Sequence, residues 1–252
     1  MEFQISSPQL SLGIVGFGAF GRLMADHLAP HFRVLAHDAQ PVAPVPAGVA
    51  MAALPEVCRC DVVVIAVPLA SLAQVCREMA VWLAPGTLVV DVCSTKVEAS
   101  AIMLAELPPH VDLIASHPMF GPQSIREGTQ GLKLVICPLR GNRTGRVAAF
   151  LRKTFGLKIL TVTPEEHDRE AAFTQGLTHL IAHALLRMDD LPGRITTRSF
   201  DLLRQAMEMV RHDAPGVRQA IESNPYSAGA RSLFFAELDA IRGELRQPAR
   251  CK

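Results

Sequence analysis

Residues 12–21 read LGIVGFGAFG, a short apolar run that leads into three closely spaced glycines. Gly16, Gly18 and Gly21 form a GxGxxG pattern. In that pattern the first glycine permits a tight turn, the second permits close approach of a pyrophosphate, and the third lets helix and strand pack together. The residues that follow repeat apolar side chains at helical spacing. The stretch therefore predicts a strand, a phosphate-binding turn and a helix whose N-terminal amides face the phosphates.

Short β-branched runs alternate with helical patterns through the first two-thirds of the chain, as they do in βαβ units with a parallel sheet. Several runs are apolar throughout, which is typical of strands covered on both faces. The predicted strands are residues 12–15, 33–37, 62–67, 88–92, 113–116, 132–137 and 158–162. The segment between residues 39 and 55 is rich in proline and alanine, so we predict an irregular loop with at most one helical turn.

The pattern changes at Thr163. This residue is predicted to cap a helix, with Pro164 in the first turn and Glu166 completing a capping box. From there to the end the pattern is helical. We therefore predict an α/β fold in which residues 1–162 form a Rossmann-type, doubly wound and mostly parallel sheet that binds a dinucleotide. Residues 163–252 are predicted to form a smaller all-α domain.

The composition is that of a folded protein without a global attraction to polyanions. The 252 residues are 49% hydrophobic and 19% charged, and 25 Lys and Arg balance 24 Asp and Glu for a formal net charge of +1. We therefore expect neither nucleic acid nor a membrane as a partner. No apolar stretch is long enough to span a bilayer, and no secretory signal is recognisable. The six cysteines lie mostly in apolar segments, as expected of reduced thiols in a cytoplasmic protein.

An acidic residue follows the second predicted strand at the spacing of a dinucleotide site. Asp38 lies about twenty residues beyond the glycines, where a carboxylate accepts hydrogen bonds from the adenosine ribose. The alternative for this side chain is a loop-capping role. A carboxylate there would repel the 2′-phosphate of NADP, and Arg33 lies at the wrong end of its strand to neutralise one. We therefore expect NAD as the cofactor, with NADP less favoured.

Ligands of doubly wound sheets bind beyond the carboxyl ends of the strands. The segments that follow the third and fourth predicted strands are therefore expected to lie beside the dinucleotide. The residues expected to line the cofactor are Gly16, Phe17, Gly18, Ala19, Phe20, Gly21, Asp38, Val67, Pro68 and Ser94.

Two segments at this edge carry candidate chemistry. Ser94 follows the fourth predicted strand, and the alternative there is a helix start in which Thr95 and Glu98 form a capping box. His117 ends the fifth predicted strand, and Pro118 holds it in an extended conformation. A histidine fixed at that position is a candidate base because its pKa lies near the working pH. The alternative is a structural corner between strand and turn.

The resemblance to a known family rests on motifs at the same edge. The glycine turn, residues 92–96 (VCSTK) and above all residues 116–124 (SHPMFGPQS) resemble the prephenate/arogenate dehydrogenase family of tyrosine biosynthesis. Residues 163–172 and 174–179 resemble the start of the helical domain of that family. The similarity covers residues 11–185 and is closest to the compact branch that resembles plant arogenate dehydrogenases.

The resemblance implies an NAD-dependent oxidative decarboxylation of prephenate or arogenate, in which ring C4 gives up a hydride and C1 loses carbon dioxide. It implies that His117 is the base or polariser at the C4 hydroxyl and that Ser94 orients it. His179 is implied to line the substrate pocket. An arginine of the helical domain is implied to bind a substrate carboxylate; Arg211 is our choice among the candidates Arg204, Arg211, Arg218 and Arg231. Gln123 stands where relatives often carry an acid, which removes one electrostatic reason to prefer arogenate.

Other histidines of the helical region carry alternatives. His179 and His183 form an i, i+4 pair, but the zincin pattern needs Glu directly after the first histidine and Leu180 is there, so no metal is expected. A buried structural role stays open for His179. His167 and Asp168 are expected to belong to the helix start and the domain junction rather than to chemistry.

The resemblance also implies a homodimer formed through the helical domain. Apolar helical faces around residues 200–210 and 233–241 fit that role, with an intramolecular core as the alternative. Two rival functions stay open: another two-domain NAD(P)-dependent dehydrogenase of a hydroxy acid or imine, and a non-catalytic dinucleotide sensor. The first rival would place a catalytic lysine or aspartate within residues 173–183, which contain neither. Intact His117 and Ser94 argue against the second.

Overall fold

The computed structural model of the chain describes residues 9–122, 124–125, 128–188, 191, 193–211, 213 and 215–246. It divides into two compact units, Met1–His167 and Asp168–Lys252. The boundary predicted from the sequence lies a few residues before this division, at the cap of the helix in which the division falls.

Eight strands form a single sheet in the first unit. They are β1 (Ser11–Val15), β2 (Arg33–His37), β3 (Val49–Met51), β4 (Val62–Ile65), β5 (Leu88–Asp91), β6 (Asp112–Pro118), β7 (Lys133–Arg140) and β8 (Lys158–Thr161). Their order is β3-β2-β1-β4-β5-β6-β7-β8, and neighbouring strands are parallel except for the antiparallel pair β6 and β7. The predicted doubly wound, mostly parallel fold is confirmed.

The helices of the first unit cover both faces of this sheet. They are α1 (Ala19–Leu28), α2 (Leu54–Val57), α3 (Leu69–Ala80), α4 (Val97–Glu106) and α5 (Thr144–Phe155). Val63 and Ile65 of β4 belong to the core that contains buried residues of α3 and α4, whereas Val64 belongs to the core beside α1. Because side chains alternate along a strand, both faces of β4 are buried, which explains its uninterrupted apolar run.

The prediction of an irregular loop over residues 39–55 is wrong at its C-terminal end, where β3 pairs in parallel with β2. The three residues of β3 are exposed or half-buried at the sheet edge, and the apolar run that contains them, residues 49–54, is half alanine, which is depleted in strands. The single helical turn expected in this segment is α2.

The second unit is helical. Its elements, counting a helix that starts in the first unit, are α6 (Pro164–Ala171), a π-helical turn (Ala172–Gly176), α7 (Leu177–Leu186), α8 (Arg198–Arg211), α9 (Pro215–Ser223) and α10 (Ser227–Leu245). The predicted capping box is confirmed: the Glu166 amide donates to Oγ1 of Thr163 at 3.1 Å, and the Thr163 amide donates to Oε2 of Glu166 at 2.8 Å. Within the described ranges, no helix combines the length and apolar character needed to cross a bilayer.

Candidate active site

The turn after β1 has the geometry that the glycine pattern predicts. Gly16 has a φ of +94°, and a Cβ there would lie 2.5 Å from the carbonyl oxygen of Ala66. A Cβ on Gly21 would collide with the carbonyl of Gly16. A Cβ on Gly18 would meet no heavy atom within 4 Å, so this glycine faces open space at the start of α1. The turn therefore offers a cradle at a helix N-terminus that fits the pyrophosphate of a dinucleotide.

Asp38 ties this turn to the end of β2. Its Oδ2 accepts the Phe17 amide at 2.7 Å, and its Oδ1 accepts the Gln40 amide at 2.8 Å. These bonds are the loop-capping role that the sequence analysis kept as an alternative. Both roles are compatible, because an ionised carboxylate offers about four lone-pair positions and two of them are used. The half-buried side chain of Asp38 therefore fits the ribose hydroxyls of NAD while it orders the glycine turn.

The remaining cofactor candidates lie at the same carboxyl edge of the sheet. Ala19 is exposed and Phe20 is half-buried in the first turn of α1. Val67 is half-buried, and Pro68 is exposed immediately before α3. These residues are where the sequence analysis expects the cofactor, but no contact in the structure assigns a role to any of them.

His117 lies near the carboxyl end of β6, and its side chain is buried. Its Nδ1 lies 2.9 Å from Nε2 of His167, and the two rings meet edge to face. Burial holds the pKa of His117 well below its ordinary value, and the neighbouring His167 and Lys96 lower it further. The imidazole of His117 is therefore neutral near pH 7. Its Nε2 forms no hydrogen bond with the described residues and is the nitrogen left for a substrate hydroxyl.

His167 is the partner that the sequence analysis did not assign to chemistry. It does belong to the helix start, as expected, because it lies in the first turns of α6. The structure also places it against His117, which is 50 residues away in the sequence. The capping box at Thr163 is a local signal for the position of His167, because it predicts where α6 begins. Nothing in the sequence pattern indicates the contact itself.

Ser94 is half-buried in the loop that follows β5. The alternative interpretation, in which Thr95 caps the next helix, is wrong, because α4 begins at Val97 with Lys96 as its N-cap residue. The hydroxyl of Thr95 is buried and has no hydrogen-bond partner within the described ranges. The loop is held instead by Asp91, whose Oδ2 accepts the Cys93 amide at 2.9 Å.

A buried ion pair lies between this loop and β6. Nζ of Lys96 donates to Oδ2 of Asp91 at 2.6 Å and to the carbonyl oxygen of Ser116 at 2.6 Å. The side chains of Lys96 and Asp91 are both 0% exposed. The sequence analysis assigned no role to either residue, because a lone Lys or Asp beside a strand is ordinarily a solvated charge.

The helical unit holds two of the predicted substrate residues. Nε2 of His179, which is buried, lies 3.2 Å from Oδ2 of Asp213. Nδ1 of His179 is buried and has no hydrogen-bond partner among the described residues, and the same holds for Nε2 of His183. Arg211 is 57% exposed and pairs with Glu208 at 3.6 Å. Across the described ranges, no group of three or more His, Cys, Asp or Glu side chains could hold a metal ion.

The predicted substrate residue Gln123 lies outside the described residues.

Known proteins match this chain over both units. The family model for the nucleotide-binding domain of prephenate dehydrogenase matches residues 34–153. Arogenate dehydrogenases 1 and 2, chloroplastic, of Arabidopsis thaliana are each 28% identical, over 83% and 84% of this chain and over 35% and 63% of their own lengths. The chain therefore spans less than two-thirds of these curated relatives. A probable arogenate/prephenate dehydrogenase of Methanocaldococcus jannaschii is 35% identical over 47% of this chain and 27% of its own length.

Solved structures share the fold over nearly the whole chain. Prephenate dehydrogenase from Aquifex aeolicus, in complex with hydroxyphenyl propionate and NAD+, superposes with a TM-score of 0.75 at 18% identity. The match covers 96% of this chain and 92% of that one. Arogenate dehydrogenase from Synechocystis has a TM-score of 0.66 at 17% identity, covering 94% of this chain and 92% of that one. At these identities the likeness establishes the fold alone.

Proposed function

We propose that this chain is a member of the prephenate/arogenate dehydrogenase family and that it catalyses the NAD-dependent oxidative decarboxylation of prephenate or arogenate. The products are 4-hydroxyphenylpyruvate or tyrosine. The observation that carries the proposal is the neutral imidazole of His117, with Nδ1 bonded to His167 and Nε2 free of hydrogen bonds to the described residues. It lies at the sheet edge that also carries the dinucleotide-type glycine turn.

The proton is handled at Nε2 of His117. When bound, NAD accepts the hydride that leaves ring C4, and loss of carbon dioxide from C1 makes the ring aromatic. As positive charge develops at C4, Nε2 takes the proton of the C4 hydroxyl and returns it to the phenolate oxygen once the ring is aromatic. No net proton is consumed, so the histidine is regenerated in each turnover. A positioned base of this kind contributes about 10²–10⁴-fold to the rate.

The histidine pair sets the protonation state that this step needs. Nε2 can accept a proton only if the single proton of neutral His117 is on Nδ1. In that tautomer Nδ1 donates to Nε2 of His167, and we propose that the contact between the two rings is made in this direction. The low pKa of His117 keeps the ring unprotonated, and hence able to act as a base, through the neutral range.

The residues proposed to bind the cofactor are those that surround the glycine turn. Gly16, Gly18 and Gly21 shape the cradle for the pyrophosphate, and Asp38 accepts the ribose hydroxyls. The negative charge of Asp38 disfavours the 2′-phosphate of NADP, which supports NAD as the natural cofactor.

The substrate pocket is proposed on the family resemblance. We propose that Ser94 orients the C4 hydroxyl and His117, and that His179 lines the pocket. Arg211 is proposed for a substrate carboxylate, since its ion pair with Glu208 is exposed and such pairs hold a side chain weakly. Gln123 is proposed to weaken the preference for arogenate over prephenate.

We also propose a homodimer formed through the helical unit and a cytoplasmic location. Apolar side chains exposed on α8 and α10 support the dimer. The five cysteines within the described ranges are buried free thiols, which supports a reducing compartment. The near-neutral net charge supports a small-molecule substrate rather than a nucleic acid or membrane partner.

The test follows the appearance of reduced nicotinamide by its near-ultraviolet absorbance, with NAD and either prephenate or arogenate. We expect turnover with at least one of them. His117→Asn should bind NAD as tightly as the natural chain and lose about 10²–10⁴-fold in kcat. Turnover unchanged in His117→Asn would remove that residue from the mechanism. Cofactor binding without reduction by either substrate would favour a dinucleotide sensor, and turnover of a hydroxy acid or imine instead would favour the rival dehydrogenase.

A further inference from the structure

The two proposed catalytic segments come from adjacent strands. Ser94 follows β5, His117 belongs to β6, and the two strands pair in parallel up to Asp91 opposite Ala115. Beyond that point the backbones separate, because the chain after β5 turns into α4 while β6 continues. Some other interaction must therefore fix the position of the loop that carries Ser94 relative to His117.

The side chains of Asp91 and Lys96 supply that interaction on the β6 side. Oδ1 of Asp91 accepts the Ser116 amide at 3.1 Å, and the carbonyl oxygen of Asp91 accepts the Ser116 hydroxyl at 2.6 Å. Nζ of Lys96 donates to the Ser116 carbonyl at 2.6 Å. Both polar groups of the Ser116 backbone are thus held by this pair, immediately before His117.

The same pair also holds the loop. Oδ2 of Asp91 accepts both the Cys93 amide, at 2.9 Å, and Nζ of Lys96, at 2.6 Å. Ser94 therefore lies between Cys93, whose amide is bonded to Asp91, and Lys96, whose ammonium group is bonded to the Ser116 carbonyl. Any movement of Ser94 away from β6 has to stretch one of these charge-assisted bonds, which are roughly twice as strong as neutral ones.

Stability alone does not account for such a pair. Two fully buried charges lose their hydration, and an apolar pair of the same volume is often equally stable or more stable. What the apolar pair cannot supply is directional bonds to the Cys93 amide and the Ser116 backbone. Those bonds end beside the two residues whose separation decides whether a substrate hydroxyl meets its base.

We propose that Asp91 and Lys96 form a positioning pair that sets the separation of Ser94 and His117 and keeps a fixed positive charge behind His117. This inference rests on the proposed function, because it assigns the pair a role in that reaction. Neither residue is proposed to touch substrate or cofactor.

The positive charge has a defined effect on the base. The groups that act on His117 are His167 of α6 and Lys96, whose charge is paired with Asp91 of β5. Burial is the largest cause of the lowered pKa of His117, and the charge of Lys96 lowers it further. Loss of that charge leaves the carboxylate of Asp91 unpaired and raises the pKa of His117. Since the neutral imidazole is the active form, activity is then lost at a higher pH on the acid side.

The experiment compares the natural chain with Lys96→Met, which keeps the length of the side chain and removes the charge. We expect kcat to fall about 10²-fold, because a displacement of about 1 Å costs that much. The KM for NAD should stay unchanged, and the acid limb of the kcat profile should move to higher pH. In nitrogen-15 NMR of histidine-labelled protein, the imidazole of His117, assigned with His117→Asn, should titrate at higher pH than in the natural chain.

Two further variants keep the result interpretable. Arg143→Met removes an ion pair from the other end of β6, where Arg143 meets Asp112 at 3.0 Å, and should change neither the NMR titration nor kcat. The double variant Asp91→Asn/Lys96→Met leaves no unpaired buried charge, so it should fold even if Lys96→Met does not. It should nevertheless keep the loss in kcat, because it lacks the directional bonds.

Each outcome bears on the inference. A Lys96→Met chain, or a double variant, with the kcat and acid limb of the natural chain would overturn it. If the natural chain reduces NAD with neither substrate, the proposed function fails on its own. The NMR titration then tests the effect of the Lys96 charge without turnover. An upward shift of the His117 titration in Lys96→Met supports the proposed effect of that charge on His117, and an unchanged titration rejects it.

Discussion

His117 and His167 lie 2.9 Å apart, Nδ1 to Nε2, and the proposed mechanism requires His117 to be the donor in this hydrogen bond. His167→Phe keeps a ring of similar size and removes the acceptor. We expect kcat to fall about 10–100-fold, because part of the His117 population takes the unproductive tautomer. His167 also lowers the pKa of His117, so its loss raises that pKa and moves the acid limb of the kcat profile to higher pH.

The measurement is the pH dependence of kcat for His167→Phe beside the natural chain. His110→Gln is the matched control, because His110 lies in the same unit and its ring nitrogen Nε2 contacts the carbonyl oxygen of Leu83 rather than another histidine. An unaltered acid limb in His167→Phe would show that the contact is structural.

We propose two roles for Asp38 at the glycine turn, and a single substitution tests both. In Asp38→Ser the carboxylate no longer repels a 2′-phosphate, so the preference for NAD over NADP should fall about tenfold, equivalent to about 1.4 kcal/mol. The affinity for NAD itself should also fall, because the Phe17 amide loses its charged acceptor. Fluorescence titration with both reduced cofactors measures both effects. Asp26→Ser, at an exposed position on α1, is the control; a natural chain that already prefers NADP would contradict this interpretation of Asp38.

At the scale of the elements, the capping box of α6 links stability to the site. Thr163→Ala removes the hydroxyl that accepts the Glu166 amide. We expect the free energy of unfolding to fall by about 1 kcal/mol, as is typical when a capping threonine is lost. Urea denaturation measures the change. Thr144→Ala, at a helix start where no side-chain cap bond is formed, should cause a smaller loss or a gain. Equal losses in both variants would show that the cap is not the cause.

The two capping boxes also show what a sequence can predict about elements. At Thr163 the S/T-x-x-E pattern follows a strand end and the helix does start there. At Thr95 the same pattern fails, because the Asp91 carboxylate and the Lys96 ammonium hold the loop and α4 starts later. A local motif decides the outcome only where no stronger long-range bond competes for the same backbone groups.

Burial decides which strands could be predicted. β4 lies at the centre of the sheet with both faces covered, and its run of β-branched residues identifies it without any other information. β3 lies at the edge with exposed side chains, and its pairing with β2 depends on backbone hydrogen bonds that leave no mark on the sequence. The glycine turn was predictable for a different reason, since the backbone around Gly16 and Gly21 leaves no room for a Cβ at either position.

The candidate site was predictable as far as its motifs reach. His117 and Ser94 stand out because each follows a recognisable strand end. The residues that contact His117 and the loop of Ser94 are His167, Asp91 and Lys96, and no local sequence pattern indicates these contacts. Their roles arise from the pairing of β5 with β6 and from the start of α6 meeting β6, which are properties of the folded chain.

At the scale of the whole molecule, α10 leaves a row of apolar side chains exposed. Leu238, Ile241 and Leu245 are spaced at i, i+3 and i+7, which puts them along one side of the helix, and each is at least 44% exposed. A stripe of this kind indicates a surface that another protein covers, and closed dimers are the commonest such assembly. The proposed homodimer would bury this stripe.

Leu238→Glu tests that proposal, because a carboxylate within the stripe would have to lose its hydration in the interface. We expect sedimentation equilibrium to give the mass of a dimer for the natural chain and that of a monomer for Leu238→Glu. Glu237→Gln, at the adjacent exposed position, should remain dimeric. Since the stripe lies in the helical unit and the glycine turn in the other, NAD should bind the monomeric variant as tightly as the dimer. A natural chain that sediments as a monomer would instead leave the stripe to a different protein partner.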